Sequence, residues 1–272
     1  MNKSAALDLI RRAPPAPDSA PRTTLSAAEL QALLDLPPGE ALESLLTVHE
    51  ILNVELPGHR LNVYEAGGGS TSFLPPEVLR RSHVTVVDID EDQIRNNTYA
   101  QQTILGDIQT YRFPPNSFDL IICYNVLEHV PYVEAALAGF FQSIKPGGLI
   151  LIGAPNPRSL SGIVTKHTPH WFHIWFYRHV VGKKSAGLPG EPPFPTFFHP
   201  LVTPSRLEAF ARKNGLQVIY RKEYESPRYP EMRERTPLFA ALLDAFSFTL
   251  NLLLPGKTDV RRGDYHVILR RP

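Results

Sequence analysis

Residues Val63 to Phe73 read VYEAGGGSTSF: a short apolar run, an acid, then three consecutive glycines. A glycine run after a strand lets the backbone turn sharply, and it also lets a ligand approach the backbone closely. The dinucleotide spacing G-x-G-x-x-G/A can be tested directly. With Gly67 and Gly69 as its first two members, the third position falls on Ser72, so the pattern fails. A P-loop fails too, because no Gly-Lys-Ser/Thr follows. The glycines therefore need a reading from the residues around them.

Working outward, LNVYE before the glycines reads as a strand, and the chain then runs a helix-length segment to Arg81. VTVVD (Val84–Asp88) reads as a second strand, EDQIRNNTYA as a helix and TILGD as a third strand. DLIICYN (Asp119–Asn125) is an apolar fourth strand, Tyr132 to Ile144 is helical, and KPGG turns into a fifth strand, LILIGAP. Strands alternating with helices, several of them apolar throughout, imply parallel βαβ units with both sheet faces covered. The fold class is α/β, a doubly wound and mostly parallel sheet. Beyond Pro155 the rhythm breaks over 156–200. It resumes with TPSRLEAFARKNG, which has Thr203 as N-cap, Pro204 at the first helical position and Gly215 past the end. LQVIYRKE then forms a sixth strand, and after a second insertion at about 225–260, DYHVILRR closes the chain as the last.

The expected organisation is a helical N-terminal extension (1–57), a first core half (58–155), an aromatic and basic insertion (156–200) and a second core half (201–272).

The acids give the glycines their meaning. Glu65, Asp88 and Asp107 each close one of the first three strands, so in a parallel sheet all three reach one edge, where ligands bind. A carboxylate after the second strand suits two ribose hydroxyls, and one after the third can accept from an exocyclic amine. A cofactor without phosphate needs no phosphate cradle. The combination points to S-adenosylmethionine.

VYEAGGGST, VTVVDIDEDQI, ILGDIQTYRFPPNSFDLIICYNVLEHV and IKPGGLILIGAPN, taken in order, resemble the successive motifs of class I S-adenosylmethionine-dependent methyltransferases, the small-molecule branch most of all. The resemblance is strong over about 61–155 and weak over 200–222 and 263–270. It implies a Rossmann-like seven-stranded sheet with an antiparallel last strand. By position it implies that Glu65, Gly67 and Gly69 surround the methionine part of the cofactor, and that Asp88 takes the ribose hydroxyls with Ile89 beside the adenine. Asp107 would take the adenine amine with Ile108 near it, and Asn125 and Val126 would line the pocket under the sulfonium. Thr71 stands where many members carry a third alternate glycine.

Methyl transfer to a hydroxyl needs a positioned acceptor and a proton acceptor. His129, after the fourth strand, and His199, in FHPLVTP, are the two candidate bases, although His129 could equally cap a helix or touch the cofactor. Cys123 lies inside a strand, and neither NPPY nor DPPY follows it, which argues against pyrimidine C5 or nucleobase amino methylation. No metal is expected: His167, His170 and His173 recur every third residue, but Pro169 interrupts them and no carboxylate or Cys accompanies them.

A net charge of +1 argues against an extended nucleic-acid surface, and 43% hydrophobic residues suffice for a large core. The single cysteine fits a reducing compartment. The N-terminus shows no secretory pattern, so a cytoplasmic location is expected. The run Leu238–Leu254 is too short for a comfortable membrane span and, as a helix, carries Asp244, Ser247 and Asn251 on one polar stripe. Burial against the core or a subunit interface is one reading of it, and a membrane surface is the other. The aromatic segment Lys166–Lys184 reads as a lid or as an interfacial surface. The expected activity is O-methylation of a small-molecule or a lipid- or sugar-linked acceptor. A cofactor-binding partner subunit without activity and an RNA methyltransferase are the alternatives, and the oligomeric state stays open.

Overall fold

The computed structural model describes residues 39–180, 182–188, 193–226, 229, 233, 234, 236–253 and 259–272. The expected helical turn at SAAELQALLDL lies outside them. Helix α1 (Glu40–Glu55) leads into β1 (Leu61–Ala66), α2 (Pro76–Arg80), β2 (Ser82–Asp88), α3 (Glu91–Asn96), β3 (Gln102–Leu105) and β4 (Phe118–Tyr124). Then come α4 (Val133–Ser143), β5 (Ile144–Pro155), α5 (Leu160–His167), α6 (His170–His179), α7 (Pro204–Lys213), β6 (Gln217–Tyr224), α8 (Pro237–Leu253) and β7 (Asp264–Arg270). The seven strands form one sheet in the order β3-β2-β1-β4-β5-β7-β6. Strands β1 to β5 pair in parallel, while β7 runs antiparallel between β5 and β6.

The apolar strands are explained by cover on both sides. In β4, Ile121 and Cys123 enter one core with α4 (Val133, Leu137, Phe140) and α7 (Leu207, Ala211). Leu120 and Ile122 of the same strand enter the opposite core with α1 (Val48, Leu52) and α2 (Val78, Leu79). A period of two in a strand with two apolar neighbours yields a run with no polar position. The chain reverses order between β3 and β4, on either side of β1, which sets a crevice at the ends of β1, β2 and β4.

Three local expectations are corrected. KPGG is no turn: the chain passes from Ser143 straight into β5, with a register shift between Phe118 and Leu120. Lys145 holds both oxygens of Asp119 at 2.9 Å, and the amide of Gly147 (φ +77°) donates to Arg271 at 2.7 Å, so this end of the strand is tied down at both edges. Helix α3 stops at Asn96, because the Asn97 side chain accepts from the amides of Tyr99 (3.2 Å) and Ala100 (3.0 Å), an alternative to continuing the helix. Thr203 does precede α7, but its side chain makes no cap bond; the helix starts on its carbonyl and on Pro204.

Candidate active site

The glycine loop is held by its own amides. Gly67 donates to the carbonyl of Val87 (2.8 Å), Gly69 to the carboxylate of Asp88 (3.0 Å) and Ser70 to Oε1 of Gln93 (3.1 Å). A phosphate cradle presents such amides to a ligand; here three of them are spent within the protein. The glycines serve shape instead. Gly67 has φ +67°, and a Cβ there would fall 2.5 Å from a methyl of Val126. The loop after β1 and the turn after β4 therefore close on each other, and that approach requires the residue to be glycine. Asn125 enters the turn at φ +55°, a conformation asparagine tolerates, with its amide on Gly153 O at 2.8 Å.

Three carboxylates ring this edge. Glu65 is buried and accepts from the hydroxyls of Ser72 and of Tyr99, the latter at 2.6 Å. Burial pushes its pKa up to about 7, with the two hydroxyl bonds pulling the other way. Asp88 is raised by burial as well, opposed by bonds from the amides of Asp90 and Gly69. Asp107 accepts from the amide of Gln109 at 2.8 Å and from its side chain at 2.9 and 3.0 Å. Ile89 stands exposed beside Asp88, whereas Ile108 is buried in the core cluster and forms floor under the edge.

Sequence reasoning missed the residues that fasten these acids. Tyr99 reaches Glu65 from 34 positions away, inside a segment read as helix, so no local pattern marks it. Gln93 and Asn97 lie four apart and hold the loop at Ser70 and, through Asn97 Nδ2 at 2.6 Å, at the carbonyl of Gly69. Their spacing was a visible signal that they face one way.

The structure brings both candidate histidines to the turn at Leu127–His129. Segment Pro195–Phe198 lies over that turn, with the amides of Phe197 and Phe198 donating to the carbonyl of Glu128 (2.8 and 3.2 Å). His129 Nδ1 sits 2.7 Å from the carbonyl of Pro195. A carbonyl only accepts, so Nδ1 carries the proton; burial lowers the ring's pKa, with the bond to Pro195 pulling the other way. Nε2 is then a lone-pair nitrogen, 3.7 Å from an oxygen of the buried Glu128. His199 is arranged the other way round. Its Nδ1 accepts from the amide of Leu201 at 3.3 Å, starting a short turn, and its Nε2 lies 3.7 Å from Glu134. Cys123 is buried in β4, where burial raises its thiol, so it offers no nucleophile.

Residues 64–152 match the family described as "Methyltransferase domain". A ubiquinone biosynthesis O-methyltransferase from Rickettsia typhi is 27% identical over 107 residues, covering 36% of this chain and 42% of that protein. One from Pseudomonas putida is 24% identical over 173 residues, 61% of this chain and 67% of that protein. The chain thus spans about two fifths of the first of these relatives. Among solved structures, a putative S-adenosylmethionine-dependent methyltransferase from Listeria monocytogenes shares the fold at TM-score 0.52 and 14% identity, over 86% of this chain and 100% of that one. Residues 64–152 thus match a methyltransferase domain, and the seven-stranded order is the fold that the chain shares with the Listeria structure.

Proposed function

We propose that this protein transfers a methyl group from S-adenosylmethionine to an oxygen of a small-molecule or a lipid- or sugar-linked acceptor, with His129 taking the acceptor's proton. The chain's residues fit the cofactor: the loop amides of Gly67, Gly69 and Ser70 are already paired, so the edge suits a ligand without phosphate, and its buried acid, Glu65, faces only hydroxyls and suits an ammonium. Asp88 and Asp107 would hold the ribose hydroxyls and the adenine amine. The cofactor supplies a methyl already activated by a sulfonium charge.

The observation carrying the reading is the 2.7 Å approach of His129 Nδ1 to the Pro195 carbonyl. The Pro195 carbonyl fixes the proton on Nδ1, so Nε2 can accept one, and Glu128 at 3.7 Å would face the resulting imidazolium. His199 is less suited, since its Nδ1 lone pair is committed to Leu201. The names of the curated relatives support oxygen as the acceptor atom.

Methyl-labelled S-adenosylmethionine and cell extract, followed by partition of the label among organic, aqueous and acid-insoluble fractions, tests the acceptor class. Organic or aqueous label is expected; acid-insoluble label alone would sink the small-molecule reading. Once an acceptor is known, His129→Asn is expected to lower kcat by about 10²–10⁴-fold with little change in cofactor affinity. His199→Asn should cost less than about tenfold. The reverse ranking would move the base to His199.

A further inference from the structure

Helix α8 is turned inside out. Its polar stripe faces the protein: Ser247 is buried, Asp244 meets Arg233 at 3.2 Å, and Asn251 bonds Asp259 at 2.7 Å and the amide of Val260 at 3.0 Å. Five of its large apolar side chains face out, with Leu238 78%, Leu242 64%, Phe246 52%, Phe248 68% and Leu252 71% exposed. Asp244 is the only charged residue in Pro237–Leu253, so the outward face of α8 bears no charge over roughly 25 Å. A solvated surface helix has the opposite arrangement.

The neighbouring helices extend this face. Phe176 of α6 and Phe239 of α8 meet at 6.4 Å between ring centroids. At the other end, Leu160 of α5 donates to the carbonyl of Val260, whose amide is held by Asn251. The α5–α6 pair is therefore tied to α8 and its following segment at these two points. It adds two exposed indoles, Trp171 (68%) and Trp175 (47%). Residues 156–188 hold Arg158, Lys166, Arg178, Lys183 and Lys184 and no Asp or Glu. Lys166, Arg178, Lys183 and Lys184 are exposed.

We infer that the face formed by α8 and α6 docks on a bilayer surface carrying anionic headgroups, with the leucines and phenylalanines entering the acyl boundary. Apolar side chains, exposed indoles and a 156–188 segment with basic but no acidic residues are the chemistry that such an interface selects. The charge decides against a second copy of the chain, since two such faces would oppose cation to cation. Among the described residues no helix is long and apolar enough to cross a membrane, so the protein would lie on the surface. The inference does not rest on the methyl-transfer reading, because its test reads binding alone.

The test is flotation of the full-length protein with phosphatidylcholine vesicles, with and without about 30% phosphatidylglycerol. Binding to the anionic vesicles is expected, weakened by salt. The double substitution Leu242→Asp with Phe246→Asp should lower partitioning by roughly a hundredfold or more. Lys183→Glu with Lys184→Glu should lower it by about thirtyfold or more. The melting temperature of each variant should match that of the parent. No binding to either vesicle would overturn the inference. So would a vesicle-free dimer that the Leu242/Phe246 variant dissociates, which would mean a second copy covers the face. A marked fall in the melting temperature of that variant would also overturn it, by showing that a segment of the chain itself, such as residues 1–38, covers α8.

Discussion

Helices α4 and α8 are both rich in apolar residues, and they face opposite ways. α4 turns Val133, Ala136, Leu137 and Phe140 into the sheet, each at most 1% exposed. α8 turns Asp244, Ser247 and Asn251 inward and sends Leu238, Leu242, Phe246, Phe248 and Leu252 out. What differs is the partner offered. Beside α4 the sheet presents Ile121, Cys123 and Ile150, an apolar surface that has to be covered. Beneath α8 the chain presents Arg233, Asp259 and the backbone of Val260, which bind the polar stripe. A helix's apolar content thus says how much surface it must hide from water; the element it rests on decides whether the protein itself does the hiding.

The sharpest way to break this contrast is to truncate one phenylalanine from each helix. Phe140 lies 5.8 Å from the Tyr64 ring, in the core, so Phe140→Ala should cost about 3–5 kcal/mol in urea unfolding. Phe246→Ala should stay within about 0.5 kcal/mol of the parent in the absence of vesicles. Equal costs would mean that α8 is covered within the molecule and that the comparison is false.

The same contrast explains how much could be read in advance. Gly67 and its neighbours were legible because the turn they make is local; that a side chain would strike Val126, far along the chain, was not. The acids were legible because strand ends in a parallel sheet share an edge. On α8 the stripe of Asp244, Ser247 and Asn251 was visible, but its direction was not, because Arg233 and Asp259 lie outside the helix. Tyr99 escaped because its role depends on Glu65, far along the chain. KPGG misled through composition: Lys145 is fixed by Asp119, a contact that no turn propensity contains. At the histidines, sequence could place His129 and His199 on one edge. Only the Pro195 carbonyl and the Leu201 amide, one an acceptor and the other a donor, separate their roles.

The two regions also treat their acids differently, and a pH profile sharpens the point. Asp244 under α8 has a guanidinium, whereas buried Glu65 has, among the described residues, the hydroxyls of Ser72 and Tyr99. With its pKa raised from 4.5 to about 7, Glu65 holds a proton in the folded chain that the unfolded chain has released between those values. Stability therefore falls as pH rises through that window, by on the order of 3 kcal/mol, and levels off above it. Glu65→Gln should remove that part of the slope and be the more stable protein at pH 8, by roughly 2 kcal/mol, while losing affinity for an ammonium-bearing cofactor. An unchanged slope between pH 4.5 and 7 would show that Glu65 is not the group responsible.

Tyr99→Phe asks the finer question of whether those hydroxyls stand in for the missing cation. The Tyr99 hydroxyl donates to Glu65 at 2.6 Å and helps hold its pKa down, so its removal should move the midpoint further up, by about one pH unit. The ring stays and only the oxygen goes, so packing changes little. The lost bond is charge-assisted when Glu65 is ionised and ordinary when it is protonated. The variant should therefore be destabilised by roughly 1–2 kcal/mol at pH 8 and by less than about 1 kcal/mol at pH 5. A cost that does not depend on pH would make Tyr99 a packing residue. A cost that grows with pH would mean that this edge holds a buried carboxylate on hydroxyls alone, with a pairing to an ammonium left for the ligand.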